Sequence, residues 1–282
     1  MSCLTKYSSL LFDMDGVLRI KNKAIPQAKS IIPSLKKYNL KIGIVTNECR
    51  YTHTTLKEDL KNMGIKEIQN IPICTPNDVI CNFLQKRLNN TKYTIQVGIF
   101  GEEGLFNTLC TITHPNYKFQ KYPSIDCNTS NLKKNTEYYV IVGASNGYSN
   151  EEIKRAARWF SIPNCKIITT CNDESTMGEV HDMPRDLLKK CNVPVEYSYC
   201  FGKPNTLYFQ YALNKLDAKS NNTLFIGDSM DTDIRGSFEN NITNCLVLTG
   251  NTKNTENIKN SLIYQPNYII RTLDNLPNIL EN

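Results

Sequence analysis

The chain has 282 residues, 40% hydrophobic and 21% charged, which is enough length for about two domains and enough apolar content for a real core. Its net charge of +6 is spread over dispersed Lys and Arg, with no basic run or basic–aromatic interleaving, so no nucleic-acid partner is expected; the mild excess suits a small anion. No apolar run approaches the roughly 20 residues of a membrane span, and "MSCLTKYSSLLFDMDG" carries no signal-peptide pattern, so a cytoplasmic protein is expected.

In chain order, "SLLFD" (9–13) predicts a buried strand closed by Asp and Gly. Residues 26–39 have helical spacing through Ala28, Ile31, Ile32 and Leu35, interrupted at Pro33. A strand over 41–47, a helix over 52–64 ended by Gly64 and a short strand over 67–73 complete a β-α-β-α-β rhythm. That rhythm predicts a parallel, helix-covered sheet with right-handed crossovers.

From about Thr75 the rhythm restarts. A helix is expected over 75–89, with Val79, Ile80, Phe83, Leu84 and Leu88 on one stripe, followed by strands over 94–100 and 137–144. The polar stretch 113–137 between those strands offers no periodicity to read. A helix opening at Ser149 with Glu152 three residues on has a capping box, and a strand follows over 165–171. Next come "SYCFGKPN" (198–205), a helix over 205–216, strands over 223–229 and 244–250, and an edge segment near 267–273.

Chemistry concentrates at four strand ends: "LLFDMDG", "IGIVTNE", "SYCFGKPN" and "LFIGDSMDTDI". In an open parallel sheet, ligands bind outside the carboxyl ends of the strands, so these four should converge. Asp13, Asp15 and Asp228 would then bring three carboxylates together, each like-charged pair costing about 4 kcal/mol at 4 Å and an effective dielectric of 20. A cation relieves that cost, and hard oxygen ligands without His or Cys favour Mg²⁺. Lys203 adds a fixed positive charge, and Thr46 and Asn47 add donors. This set suits phosphoryl transfer, in which one acid attacks phosphorus and the other moves the proton.

Each segment also has a purely structural reading. D-x-D-G serves in capped turns, acids complement helix N-termini, and Lys203-Pro204 suits a helix start. The joint occurrence of all four carries the functional reading.

With these motifs, the sequence resembles the haloacid dehalogenase-like superfamily, matched at Asp13/Asp15, Thr46, Lys203 and Asp228/Asp233. The phrases "VGIFGEEGL", "YVIVGASNGYSNEEIKRAARW" and "LVLTG" extend the likeness to the class IIA phosphatases, which include p-nitrophenyl, phosphoglycolate and pyridoxal phosphate phosphatases. The resemblance implies an α/β fold: a Rossmann-like parallel-sheet core from 1–75 and 197–282, and an inserted α/β cap over 76–196 that closes over the substrate. It implies Asp13 as nucleophile and Asp15 as general acid/base. Mg²⁺ would be held by Asp13, the Asp15 backbone carbonyl and Asp228, with Asp233, and Asp231 sharing its role, nearby through water. Thr46, Asn47 and Lys203 would bind phosphate, with Asn172 and Asp173 on the substrate side of the cap. The substrate would be a small phosphorylated metabolite, and relatives pair through the cap.

The sequence departs from the branch where Glu48, Cys49 and Arg50 follow "TN", where Cys171 replaces Thr, and where "ESTMGEVHDMPRD" replaces a Gly-rich phrase. Arg50 is read either as reaching a second anionic group of the substrate or as simply solvated, and Cys49 either as a reactive thiol or as filler. The 11 cysteines are odd in number and lack a C-x-x-C pair, so reduced thiols are expected. His53, His114 and His181 lack ligand spacing, and Trp159 is expected in packing. Other readings are a phosphotransferase or mutase using the same aspartyl-phosphate, a dehalogenase (which Asp15 argues against), and a non-catalytic protein of the same fold.

Overall fold

The structure is a computed structural model that describes residues 5–122, 134–172, 182–255, 258 and 263–281. It contains two parallel sheets. The first has six strands in the order Tyr268–Ile270, Thr243–Val247, Thr223–Gly227, Ser9–Phe12, Lys41–Val45, Ile73–Cys74. The chain starts in the middle, winds outward to one edge, then returns and winds to the other. The order therefore reverses beside Ser9–Phe12, which is the Rossmann arrangement with its ligand crevice at that point.

Register brings the motifs together. Phe12 is level with Ile44 on one side and with Ile226 on the other, so the residues that follow, Asp13, Thr46 and Asp228, emerge at one rim. Both faces of this sheet are covered, which explains runs such as "SLLF" that are buried at every position. Leu10 and Phe12 pack with Ile31, Leu35, Leu56 and Leu60 on one face, while Leu11 packs with Val79, Leu84, Phe209 and Ala212 on the other.

The second sheet has five parallel strands in the order Ser198–Cys200, Lys166–Thr169, Thr136–Val142, Thr94–Phe100, Tyr117–Lys121. Its order reverses between Thr94–Phe100 and Thr136–Val142. The helix Pro76–Asn89 lends its predicted stripe to a cluster shared with both sheets, from Leu11 and Phe225 to Ile95, Val97 and Ile141. On the far face, Trp159 is fully buried against Tyr138, as packing predicts. The Ser149 capping box forms, with the Glu152 carboxylate accepting the Ser149 N–H and Ser149 Oγ accepting the Glu152 N–H. No described helix is long and apolar enough to cross a membrane.

Several expectations change. The first helix, Ala28–Leu35, runs through Pro33 without the interruption expected there, and tightens into a 3₁₀ turn over Lys36–Tyr38. The strand expected over 67–73 is a 3₁₀ turn, Ile68–Asn70, followed by the two-residue strand Ile73–Cys74. The unreadable stretch contains the edge strand Tyr117–Lys121, whose alternation is carried by partly exposed residues. Most important, Ser198–Cys200 pairs with Lys166–Thr169 of the second sheet, not with the first, although it was expected in the core.

Candidate active site

Asp13, Asp228 and Asp233 place one carboxylate oxygen each within 4.8 Å of one another, all three side chains being buried. Lys203 Nζ lies between them, donating to Asp13 Oδ1 at 2.6 Å and to Asp233 Oδ1 at 2.7 Å. Burial works against its charge, but the two acids outweigh it and hold the ammonium protonated. Asp13 is pushed up by burial, pulled down by Lys203 and pushed up again by Asp233 and Asp228. Burial, together with the charge of Asp233, pushes Asp228 up to about 7.

With all three carboxylates ionised, the one ammonium leaves two negative charges uncompensated, which is the charge of one divalent cation. Without such an ion, burial and crowding push protons back on to Asp13 and Asp228. Asp228 Oδ1 is buried and has no hydrogen-bond donor among the described residues. Buried polar atoms are rarely orphaned, and an oxygen in this setting fits a metal ligand. The donor set is all oxygen, as a hard cation requires.

Backbone geometry makes room for Asp228. Gly16 has φ +88, and a Cβ there would lie 2.2 Å from Asp228 Oδ2, so conformation and space both demand glycine. The loop after Thr243–Val247 closes the other side: Thr249 donates to the Gly16 carbonyl at 2.6 Å, and the Asn251 N–H donates to Asp228 Oδ2. Asp233 sits in a single wide π turn, Met230–Ile234, and its Oδ2 accepts the N–H groups of Asp228 and Ser229 at 3.0 and 3.1 Å. Asp233 therefore braces both the Asp228 main chain and Lys203, while Asp231 is exposed.

Asp15 is not part of the cluster its sequence position suggested. Its carboxylate turns to Arg19, whose Nε donates to Oδ1 at 2.8 Å, and Asp233 takes the third place. Asp13 and Asp15 thus avoid crowding by facing different cations.

Thr46 is buried, and its Oγ1 accepts the Glu48 N–H at 3.1 Å. The Asn47 side chain pairs with the main chain of Lys203, accepting its N–H at 2.8 Å and donating to its carbonyl at 3.3 Å. Since Lys203 follows a strand of the second sheet, this clamp fixes the lysine across the two sheets. Asn172 is exposed and accepts from Thr169 at 3.2 Å. Asp173, His181 and most of "ESTMGEVHDMPRD" lie outside the described residues.

Sequence reading missed three residues at the site. Tyr208 Oη lies within hydrogen-bonding distance of the Thr46 and Cys74 carbonyls, tying the second motif to the neighbouring strand. Arg19 and Glu48 are both buried and charged beside Asp15. Arg50 is buried rather than solvated: Glu48 accepts its Nε at 3.0 Å and its Nη2 at 2.7 Å. Cys49 is fully buried, sharing the Thr170 hydroxyl with Cys171, which places it in packing. His53 is hydrogen-bonded to Asp78 at 2.9 Å, and His114 accepts the Asn116 N–H.

Fold and site define a Rossmann-like enzyme whose crevice gathers buried acids around a fixed ammonium. A haloacid dehalogenase-like hydrolase model matches residues 10–112, and a second HAD-hydrolase-like model matches 200–276. The chain is 27% identical to dihydroxyacetone phosphatase of Corynebacterium glutamicum, over 97% of this chain and 92% of that one. It is 24% identical to ribonucleotide monophosphatase NagD of Escherichia coli, over 86% and 88% of the two chains. The fold superposes on p-nitrophenyl phosphatase of Archaeoglobus fulgidus with a TM-score of 0.75 and 21% identity, covering 97% and 99% of the chains. The chain belongs to the haloacid dehalogenase-like hydrolases, in their class IIA branch.

Proposed function

We propose that the protein is a Mg²⁺-dependent phosphomonoesterase that hydrolyses a small phosphorylated metabolite through an aspartyl-phosphate on Asp13. The observation that carries this reading is the charge count at the rim, where three buried acids and one lysine leave room for one divalent ion. The full-length relatives named above act on small phosphate monoesters, which agrees with it.

Asp13 and Asp228 would hold the ion, which when bound would neutralise charge on the phosphoryl group. Lys203, fixed by Asp13 and Asp233, keeps the Asp13 carboxylate oriented and adds positive charge beside the phosphate. Thr46 donates its hydroxyl to a phosphate oxygen. Asp13 attacks phosphorus while Asp15 gives a proton to the departing alcohol oxygen. Water then attacks the aspartyl-phosphate, giving its proton to Asp15 and releasing inorganic phosphate and free Asp13.

Purified protein should hydrolyse p-nitrophenyl phosphate with Mg²⁺ and not with EDTA, and Asp13→Asn should reduce turnover by at least ~1000-fold. Full activity of Asp13→Asn refutes the assigned nucleophile. Absence of metal-dependent turnover across triose, pentose, nucleotide and glycolate phosphates would point instead to a binding protein of the same fold.

A further inference from the structure

The sequence places an arginine four residues after the acid/base, and the structure brings the two together. The loop 14–19 closes on itself: the Gly16 N–H donates to the Arg19 carbonyl at 2.7 Å, and the Arg19 N–H donates to the Met14 carbonyl at 3.1 Å. Arg19 returns beside Asp15 with its side chain only 7% exposed, while that of Asp15 is 33% exposed. Burying a guanidinium is costly unless it is paired, so this position needs a reason.

The partners of Arg19 form a chain. Its Nε donates to Asp15 Oδ1, and its Nη2 stands 3.9 Å from Glu48 Oε2. Glu48 is gripped by Arg50 through the main-chain N–H at 2.9 Å and through Nε and Nη2. Burial pushes the Glu48 carboxyl up, but Arg50 and Arg19 outweigh it and hold it ionised. Arg50 in turn donates to Asn146 Oδ1 at 3.1 Å, and its carbonyl accepts the Gly104 N–H at 2.8 Å. Asn146 and Gly104 follow the two strands of the second sheet between which its order reverses. The acid/base is thus joined, residue by residue, to the facing sheet.

We propose that Arg19, held by Glu48 and through it by Arg50, is a positioning residue that aims the Asp15 carboxylate at the leaving-group oxygen. The inference rests on the phosphatase reading and assigns Arg19 no contact with substrate. Fixing Oδ1 of a planar carboxylate also fixes the direction of Oδ2, so proton transfer starts from an aligned donor without a rotamer search. The two arginines and two acids balance in charge, which suits orientation better than the capture of a further anion.

Leaving-group chemistry separates this role from a merely structural one. Departing p-nitrophenolate is stable without a proton, whereas an alkoxide is not, so only an alkyl ester depends on a well-aimed acid. The constant kcat/KM covers events up to departure of the leaving group, so later hydrolysis of the aspartyl-phosphate does not enter it. We would measure kcat/KM for wild type, Arg19→Met and Arg19→Lys on p-nitrophenyl phosphate and on glycerol 3-phosphate, dihydroxyacetone phosphate and ribose 5-phosphate. The expected result is a fall of at least ~30-fold on the best alkyl ester and under ~3-fold on the aryl ester for Arg19→Met. Arg19→Lys should fall between this variant and wild type, and it carries the test if Arg19→Met does not fold. Equal falls on both ester classes, or none, overturn the positioning role. So does a wild type that cleaves the aryl ester but no alkyl ester, since no proton delivery would then need aiming. Wild type inactive on every ester refutes the phosphatase reading itself.

Discussion

Lys203 Nζ and Asp13 Oδ1 lie 2.6 Å apart although 190 residues separate them in the chain, and both are almost fully buried. A buried pair of this kind is weak evidence for net stability, but removing one partner strands the other. Lys203→Met would leave Asp13 and Asp233 adjacent without their ammonium. The expected loss is about 3–5 kcal/mol of unfolding free energy in EDTA, measured by urea denaturation. A loss below about 1 kcal/mol would mean that the acids are already protonated in the metal-free protein.

Asp228 carries the opposite expectation. Its carboxylate adds to the uncompensated charge, and its buried Oδ1 has no hydrogen-bond donor among the described residues. In EDTA, Asp228→Asn should be at least as stable as wild type, because like-charge repulsion is relieved. With Mg²⁺ the order should reverse. Wild type gains about 2.7 kcal/mol when the ion is at 100 times its dissociation constant, and the variant gains little. Thermal unfolding across a Mg²⁺ titration reads both effects, and an equal Mg²⁺ response in the two proteins would exclude Asp228 as a ligand.

Away from the site, Glu137 ties the strand Thr136–Val142 to the helix Pro76–Asn89 through Arg87 and to the next strand through Lys166. The Arg87 hydrogen bonds lead in lowering its carboxyl to about 2, below the ordinary 4.5. A carboxyl lowered by folding stabilises the fold above its unfolded value, and that contribution fades as pH falls towards the folded one. Allowing for solvent screening, Glu137→Gln should cost about 1–2 kcal/mol at pH 7 and almost nothing at pH 2. A difference that does not change between those pH values would show that Glu137 acts by packing instead.

Much of the architecture was readable from local pattern. Fully buried runs such as "SLLF", the capping box at Ser149 and Glu152, and the stop at Gly64 follow from side-chain period and backbone φ, which neighbours in sequence set. The edge strand Tyr117–Lys121 was not readable, because an edge needs no fully apolar face and its pairing with Thr94–Phe100 is decided across the sheet.

The sequence by itself determined that Asp13, Thr46 and Asp228 would meet: each follows a strand of one parallel sheet, which delivers its carboxyl ends to one rim, while Lys203 was grouped with them by its motif alone. Only the tertiary structure decided how they divide the work. It brought Lys203 in from the second sheet, put Asp233 in the acid cluster and turned Asp15 towards Arg19. The physical reason is range. Strand pattern and turns are fixed over a few residues, whereas which acid faces which cation depends on Coulomb and desolvation energies between groups that only folding makes neighbours.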